Sequence, residues 1–349
     1  MKTNQLGRTD ITVTEYCLGT MTFGSQTDEA TAHAQIDRAR DAGINFMDAA
    51  EMYPVNPVKK ETIGLTEQIL GNWFAKTGRR NEWIVATKHS GEGLAAVRDG
   101  APITSDTIPG AVESSLKRLQ ADHIDLYQFH WPNRGSFMFR KNWRYDPTAS
   151  SYSRADVIQD IEDCLGALTR EVERGTIRAF GLSNDSAWGT MQWLREADRV
   201  GGPRVATIQN EYSLLCRMAD TDLAELMHYE DVGLLPFSPL AAGLLSGKYQ
   251  DGAVPEGSRM AINGDLGGRK TERAFAAVDA YLALAREFDI DPVHMALAFT
   301  VQRPFVASSI FGATTLEQLD RALGAIDLRL SEELLERIDA VHKQHPMPY

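Results

Sequence analysis

The chain has 349 residues and a formal net charge of −12, with 43% hydrophobic and 24% charged residues. This is an ordinary composition for a globular protein, and the acidic balance disfavours nucleic acid or a membrane surface as a partner. No apolar stretch is long enough to span a bilayer, the first residues lack the apolar core of a signal peptide, and the three cysteines are widely spaced. We therefore expect a cytoplasmic protein with reduced thiols, without a disulfide framework and without a metal site.

Short apolar runs alternate with helical patterns along most of the chain. A hairpin is predicted first, over residues 1–16, around the turn-like Gly7-Arg8-Thr9-Asp10. The predicted strands are Cys17–Gly19, Phe46–Asp48, Ile84–Thr87, Ile124–Phe129, Ala179–Leu182, Thr207–Asn210, Leu234–Phe237 and Ser308–Phe311. The predicted helices are Glu29–Ala42, Leu65–Phe74, Ile108–Leu119, Val157–Arg174, Ala187–Arg199, Thr221–Tyr229, Thr271–Phe288 and Leu316–Ala325.

This alternation predicts an α/β fold. Strand–helix units form parallel sheets, and eight of them imply closure into a (β/α)8 barrel, here as a single domain over residues 1–349. Two additional helices, near Pro292–Gln302 and Glu332–His342, are predicted outside the ring, the second within a C-terminal helix and tail at 331–349. A doubly wound nucleotide-binding sheet is the alternative, but the chain has no Gly-x-Gly-x-x-Gly turn.

Three connections are long enough to cover the mouth of a barrel: residues 90–106, 131–154 and 250–270. Long loops in a compact domain usually bind or enclose a ligand. The second is rich in aromatic residues: Phe137, Phe139, Trp143, Tyr145 and Tyr152. It could line a substrate pocket or form a subunit contact, and the composition permits either a monomer or a homo-oligomer.

Four reactive side chains follow the early strands: Asp48, Tyr53, Lys88 and His130. Taken singly, each has an ordinary structural interpretation, such as a helix cap, a core edge, a surface lysine or a structural histidine. The C-terminal ends of barrel strands converge on one mouth, so the four are expected to meet there. Together they predict protonation of a carbonyl oxygen while a hydride reaches its carbon.

The predicted proton donor is Tyr53. Free tyrosine has a pKa of about 10, and lowering it by about three pH units requires about 4 kcal/mol. An ammonium about 4 Å away supplies this at an effective dielectric of about 20, but only about 1 kcal/mol in bulk water. Lys88 can therefore activate Tyr53 only in a partly dry pocket, where Asp48 would keep the ammonium charged. His130 would donate to the substrate oxygen or relay a proton.

These residues in this order resemble the aldo-keto reductase superfamily over nearly the whole chain. The motifs that carry the likeness are Leu18-Gly19-Thr20-Met21-Thr22-Phe23-Gly24, Asp48-Ala49-Ala50-Glu51-Met52-Tyr53, Asp125-Leu126-Tyr127-Gln128-Phe129-His130 and Gly312-Ala313-Thr314-Thr315. The likeness is greatest to Tas-type bacterial reductases. The resemblance implies a (β/α)8 barrel that carries out NADP(H)-dependent reduction of aldehydes and ketones without metal or flavin, with Tyr53 as general acid.

The resemblance also implies a set of cofactor residues in the second half of the chain. Those at the nicotinamide carboxamide would be Ser183, Asn184 and Gln209, and Phe237 would stack on the ring. The loop around the pyrophosphate would contribute Ser238, Pro239, Leu240, Gly243 and Lys248, with Arg259 on a covering loop. The start of the last barrel helix would contribute Gly312, Thr314, Gln318 and Arg321.

Lys248 and Arg321 would favour the 2′-phosphate of NADP, whereas Ala322 stands where many relatives carry an asparagine that contacts the adenine. Trp131, with Tyr53 and His130, is expected to contact the small-molecule carbonyl substrate. The aromatic loop and Trp188 favour an apolar or aromatic substrate, and a sugar stays open.

Two rival functions remain at this stage. One is a nucleotide-binding regulatory barrel with slow turnover, like the channel β-subunits that the chain also resembles around Ser246-Gly247-Lys248-Tyr249. The other is a Schiff-base lyase with Lys88 as nucleophile, which needs a depressed lysine pKa that Asp48 would oppose.

Overall fold

The computed structural model describes all 349 residues. The chain forms ten strands: β1 (Thr3–Gln5), β2 (Thr12–Thr14), β3 (Tyr16–Gly19), β4 (Phe46–Asp48), β5 (Ile84–His89), β6 (Ile124–Phe129), β7 (Ile177–Ser183), β8 (Val205–Gln209), β9 (Gly233–Leu234) and β10 (Ser309–Phe311). The last eight form one parallel sheet in the order β10-β3-β4-β5-β6-β7-β8-β9. All eight predicted barrel strands are therefore present.

Eleven helices lie between and after these strands. They are α1 (Glu29–Asp41), α2 (Leu65–Thr77), α3 (Thr107–Leu119), α4 (Arg154–Glu173), α5 (Ala187–Val200), α6 (Asp222–Glu230), α7 (Arg259–Ile262), α8 (Glu272–Glu287), α9 (Pro292–Val301), α10 (Leu316–Leu323) and α11 (Glu332–Gln344). No helix combines the length and the apolarity needed to cross a bilayer.

The two edges of the sheet meet, so it curls into a barrel. The backbone N–H of Leu234 donates to the carbonyl of Phe305 at 2.8 Å, and that of Ala307 donates back to Leu234 at 2.8 Å. The N–H of Ile310 donates to the carbonyl of Pro236 at 2.9 Å. Strand β9 is shorter than the predicted Leu234–Phe237, because Pro236 has no N–H to donate to a ladder. The predicted (β/α)8 architecture is confirmed.

The N-terminal hairpin of β1 and β2 closes one end of the barrel. Its buried residues Leu6, Ile11 and Val13 belong to a single apolar cluster with residues from every barrel strand or its flank: Cys17, Phe46, Ala86, Leu126, Ala179, Ala206, Leu235, Ala307 and Ile310. This cluster fills the interior next to the hairpin, and the opposite end forms the mouth.

Strand pleating explains why polar side chains reach that mouth. Phe46, Ala86 and Leu126 belong to the interior cluster, and the residue two positions later on each strand shares its face. Those later residues are Asp48, Lys88 and Gln128. The inner layer at the carboxyl ends of these three strands is therefore polar.

One prediction about the helices is wrong. The segment Pro292–Gln302 was expected outside the ring, but α9 packs directly on β10 and α10 and is the ring helix before the last strand. Its residues Val293 and Met295–Thr300 are buried, as expected for a helix that is apolar on nearly all sides. The added helix at this point is α8, which packs on α9 and, farther out, on α11.

Candidate active site

A buried ion pair lies where β4 and β5 end. The ammonium Nζ of Lys88 donates to Asp48 Oδ2 at 2.6 Å and to the carbonyl of Ala49 at 2.8 Å. The Lys88 side chain is fully buried, and that of Asp48 is 4% exposed. Burial alone would lower the pKa of Lys88, but the adjacent Asp48 charge holds the pKa above its usual value. The ammonium is therefore charged at neutral pH.

Tyr53 lies in the turn after β4, with its hydroxyl over this ion pair. The Lys88 ammonium donates to the phenolic oxygen at 3.5 Å and lies 4.9 Å from the ring centroid. The Tyr53 ring meets the His130 ring edge-on, with centroids 5.8 Å apart. The four side chains that the sequence singled out are thus brought together at one end of the barrel.

The electrostatic balance at Tyr53 differs from the expected one. Burial raises the pKa of Tyr53, and the Asp48 charge adds to that effect, which together outweigh the lowering by Lys88 and Arg259. Lys88 acts on the pKa in the expected direction, but the expected net lowering is wrong. The main reason is that burial in the dry pocket disfavours the charged phenolate, and Asp48 offsets part of the Lys88 effect in addition. At neutral pH the phenol keeps its proton.

His130 follows β6 and is nearly buried, with 8% of the residue exposed. Burial, followed by the Lys88 charge, lowers its pKa well below the usual value, so the imidazole is neutral at pH 7. Its Nδ1 atom has no hydrogen-bond partner. Trp131 lies beside it with ring centroids 5.1 Å apart, and Phe139 meets Trp131 edge-on at 6.2 Å. The predicted substrate residues therefore share one aromatic wall.

The residues assigned to a nicotinamide lie at the neighbouring strand ends. Ser183 Oγ donates to the carbonyl of Gln209 at 2.8 Å, which joins the ends of β7 and β8. Asn184 has a left-handed backbone (φ 53°), which asparagine tolerates better than most residues. Its amide donates to the carbonyl of His130 at 3.0 Å, whereas its buried Oδ1 accepts nothing.

Phe237 lies next in the barrel, where its backbone N–H donates to the carbonyl of Asn210 at 3.1 Å. Its ring is partly exposed. The chain then turns through several left-handed residues, including Ser238 (φ 54°) and Gly243 (φ 93°). The φ of Gly243 is one that residues with a Cβ rarely adopt, so this position favours glycine.

Two cations in this region have no acidic partner. Lys248 and Arg259 are both partly buried, and neither has a carboxylate oxygen within 4.0 Å. Burial and the nearby Arg269 charge lower the pKa of Arg259, which remains a cation at neutral pH. An unpaired, half-buried guanidinium is costly to bury, and a bound anion would relieve that cost.

The residues predicted to bind the cofactor at the start of the last barrel helix are engaged in contacts within the protein. Arg321 forms a two-pronged ion pair with Asp291, with Nε 2.9 Å from Oδ2 and Nη2 3.2 Å from Oδ1. Gln318 Oε1 accepts from the backbone N–H and the hydroxyl of Thr314, each at 3.1 Å. A phosphate would have to compete with Asp291 for Arg321. Gly312 serves close packing, since a Cβ there would lie 2.8 Å from the carbonyl of Gly19.

Sequence reasoning missed several polar residues around the site. Gln128 donates to Asp48 Oδ1 at 3.3 Å, and Gln209, which was predicted at the nicotinamide but not at Asp48, donates to the same oxygen at 2.8 Å. Glu51 accepts from the N–H of Ser90 at 2.5 Å and from Arg98 at 2.5 Å, which ties the 90–106 loop to the turn carrying Tyr53. The signal for Gln128 was available, because it lies two residues before His130 on a strand that faces inward.

Glu211 forms a second buried cluster nearby. Its carboxylate accepts from Arg269 at 2.8 Å, from Arg140 at 3.1 Å and from the hydroxyl of Tyr349 at 3.1 Å. The cluster joins the 131–154 and 250–270 loops to the C-terminal segment. No group of three or more His, Cys, Asp or Glu side chains lies close enough to hold a metal ion.

Comparison with known proteins gives a consistent result. Residues 15–343 match the sequence profile described as the aldo/keto reductase family. The chain is 43% identical to "Protein tas" of Escherichia coli (strain K12) over 352 residues, which cover 100% of this chain and 99% of that protein. It is 32% identical to the "Uncharacterized oxidoreductase YrpG" of Bacillus subtilis, over 98% of this chain and 96% of that protein.

A more distant relative has a different kind of name. The chain is 29% identical to a "Probable voltage-gated potassium channel subunit beta" of Oryza sativa, over 99% of this chain and 98% of that protein.

Proposed function

Because the chain belongs to the aldo/keto reductase family and is thereby an oxidoreductase, we propose that it reduces aldehydes or ketones to alcohols with NADP(H). The observation that carries the proposal is the fully buried Lys88 ammonium, held by Asp48 and aimed at the Tyr53 hydroxyl beside a neutral His130. This arrangement provides a proton donor and a neutral N–H donor at one point.

The residues present fit a nicotinamide nucleotide. The buried Oδ1 of Asn184 has no donor, and Gln209 Oε1 accepts no hydrogen bond, so both could accept from a carboxamide NH2 group. The partly exposed ring of Phe237 offers a stacking face. Lys248 and Arg259 would hold the phosphates, since neither is neutralised by a carboxylate. When bound, the reduced nicotinamide supplies the hydride that reaches the carbonyl carbon.

The chain's own contribution is the proton. Its raised pKa keeps Tyr53 protonated until negative charge develops on the carbonyl oxygen. Tyr53 then donates its phenolic proton, and the resulting phenolate lies 3.5 Å from the Lys88 ammonium. At an effective dielectric of about 20 that attraction is worth about 5 kcal/mol, which is available only after the proton has left. The ion pair therefore favours the transition state over the ground state.

His130 orients the carbonyl. A neutral imidazole carries one N–H, which can donate to the substrate oxygen next to the Tyr53 hydroxyl. Trp131 and Phe139 form the adjoining wall, and we propose an apolar or aromatic carbonyl compound as the substrate class. The proposed setting is the cytoplasm, where the three buried free thiols of Cys17, Cys164 and Cys216 stay reduced.

A nucleotide-binding regulatory barrel is the second candidate, favoured by the similarity to a channel subunit beta. It predicts tight NADPH binding with little or no turnover. The presence of His130 next to Tyr53 favours the enzyme.

The test compares NADPH oxidation by the wild type and by Tyr53→Phe with a panel of aldehydes and ketones, repeated with NADH. Tyr53→Phe should retain NADPH binding and lose most turnover, because only the proton donor is removed. Tyr127→Phe is the matched control, since the Tyr127 hydroxyl is buried without a partner and away from any proposed role. Turnover at the wild-type rate in Tyr53→Phe would refute the acid assignment, and binding without turnover in the wild type would favour the regulatory barrel.

A further inference from the structure

Asp48 is held on both of its oxygens. Oδ2 accepts from Lys88, whereas Oδ1 accepts from two buried carboxamides, Gln128 Nε2 at 3.3 Å and Gln209 Nε2 at 2.8 Å. Asp48, Gln128 and Gln209 are at most 3% exposed. Two neutral donors on one buried carboxylate oxygen are more than packing requires.

The barrel geometry explains how these side chains meet. Asp48, Gln128 and Gln209 lie on β4, β6 and β8, which are alternate strands of the closed sheet. In a barrel of this type, alternate strands contribute inward side chains to the same layer. The usual occupants of such a layer are bulky apolar residues, but here the layer under the mouth is polar.

The orientation of both amides is fixed by their mutual contact. Gln209 Nε2 donates to Gln128 Oε1 at 3.2 Å as well as to Asp48. Since the oxygen of Gln128 is taken by Gln209, its NH2 group faces Asp48. Both amide dipoles therefore direct their positive ends at the carboxylate. Packing alone would not require this orientation of the two amides.

We propose that Gln128 and Gln209 are positioning residues that hold Asp48 and partly shield its charge, and so set the proton affinity of Tyr53. The reasoning is electrostatic: Asp48 keeps Lys88 charged but opposes its effect on Tyr53, and the amide N–H groups reduce that opposition. The proposal rests on the proposed function for its kinetic part, and on the hydrogen bonds alone for its structural part.

The charged and titratable groups around Tyr53 and Asp48 are Lys88, Arg259, His130 and Cys17. Tyr53 is influenced by Lys88, Asp48 and Arg259 and packs against His130. Asp48 faces Lys88 and the buried thiol of Cys17, which lies on the neighbouring strand β3. Burial and the Asp48 charge raise the pKa of the Cys17 thiol well above its usual value. Cys17 is therefore a neutral thiol, and the amides are the groups available to offset the Asp48 charge besides Lys88.

Gln128 is the residue to test. Gln209 has a second proposed role at the cofactor through its free Oε1, whereas Gln128 has both ends engaged within the layer. Gln128→Met keeps the length of the side chain and removes the amide. Losing a hydrogen bond to a charged group should lower kcat for carbonyl reduction about tenfold. The alkaline limb of the kcat/KM profile, where Tyr53 loses its proton, should move up by about one pH unit.

Two controls separate positioning from packing. Gln35→Met is the matched substitution, because Gln35 is a fully buried glutamine in α1 whose amide atoms have no partner. It should leave the alkaline limb and kcat unchanged. In an Asp48→Asn background, Gln128→Met should cause no further movement of the limb, because its effect passes through the Asp48 charge. An unmoved limb in Gln128→Met, or an equal shift in the Asp48→Asn background, would overturn the proposal.

A measurement that needs no turnover tests the same contacts. In protein labelled with [15N]glutamine, the side-chain NH2 signals of Gln128 are assigned by their loss in Gln128→Met, or in Gln128→Asn if the first variant does not fold. These signals should shift when Asp48 is replaced by asparagine. Unchanged signals would refute the hydrogen bond to Asp48, whereas a wild type without turnover would refute only the proposed function.

Discussion

Removing the ammonium of Lys88 should damage stability and chemistry by separable amounts. Lys88→Met preserves the shape of a fully buried side chain but leaves Asp48 without its cation at 2.6 Å. Breaking a buried ion pair by removing one partner typically costs about 3–5 kcal/mol of unfolding free energy. The lost attraction between the ammonium and the developing phenolate, about 5 kcal/mol at 3.5 Å and an effective dielectric of about 20, corresponds to a kcat lower by a factor of about 3000 to 5000.

The double variant Lys88→Met/Asp48→Asn distinguishes the two effects. It replaces an uncompensated charge with a neutral pair, so most of the lost stability should return while kcat stays low. Urea unfolding followed by tryptophan fluorescence gives the free energies, and NADPH oxidation gives kcat. The reasoning would be refuted by a single variant as stable as the wild type, by a double variant no more stable than the single, or by recovery of turnover in the double variant.

Three further predictions concern pH, cofactor and packing. Burial lowers the pKa of His89 to about 4 in the folded protein, whereas a histidine in the unfolded chain has a pKa of about 6.5. Between these two pH values the unfolded chain binds more protons than the folded protein. The free energy of unfolding should therefore fall by up to about 3 kcal/mol as the pH drops from 6.5 to 4. His89→Gln should flatten that part of a urea-midpoint-against-pH curve, and an unchanged slope would contradict the assignment. Arg259→Ala should weaken NADPH binding about tenfold or more in a fluorescence titration, because removing a hydrogen-bonded charge costs about 1.5–3 kcal/mol. Arg337→Ala, which removes only an exposed surface ion pair, should leave NADPH affinity unchanged. If Arg259→Ala and Arg337→Ala bound NADPH equally well, Arg259 would not belong to the site. Gly71→Ala should lower Tm, because the new Cβ would collide with backbone atoms at the end of α3. Gly110→Ala, which has nothing within 4 Å of the new Cβ, should instead raise the free energy of unfolding by about 0.5–1 kcal/mol. An unchanged Tm in Gly71→Ala would show that α2 and α3 can move apart at little cost.

The barrel was readable from the sequence because its strands are buried on both faces. Runs such as Ile124–Phe129 are apolar enough, and the intervening helices long enough, for their type to be assigned without tertiary information. The same clarity failed for α9. A helix that is apolar on all sides has no amphipathic face to orient it, so the pattern could not tell a ring helix from an added one.

The candidate site was readable as a set of residues but not as a balance of charges. Strand ends and the spacing from Asp48 to Tyr53 predicted which groups would converge. The sign of the pKa shift at Tyr53 depended first on how deeply the phenol is buried, and then on its distances from Lys88 and Asp48, and neither can be read from the sequence. The ion pair between Arg321 and Asp291 joins residues 30 positions apart, and no local sequence pattern predicts it.

The hairpin that closes one end of the barrel is synthesised before the barrel strands but can be buried only after them. Leu6, Ile11 and Val13 leave the ribosome before any barrel strand, yet the apolar cluster that buries them includes Ala307 and Ile310 at the last barrel strand. Asn4 likewise donates to the carbonyl of Ala307 at 2.8 Å across 303 positions. These apolar side chains therefore stay exposed in the nascent chain until the last barrel strand has emerged, and a chaperone could bind them during that interval.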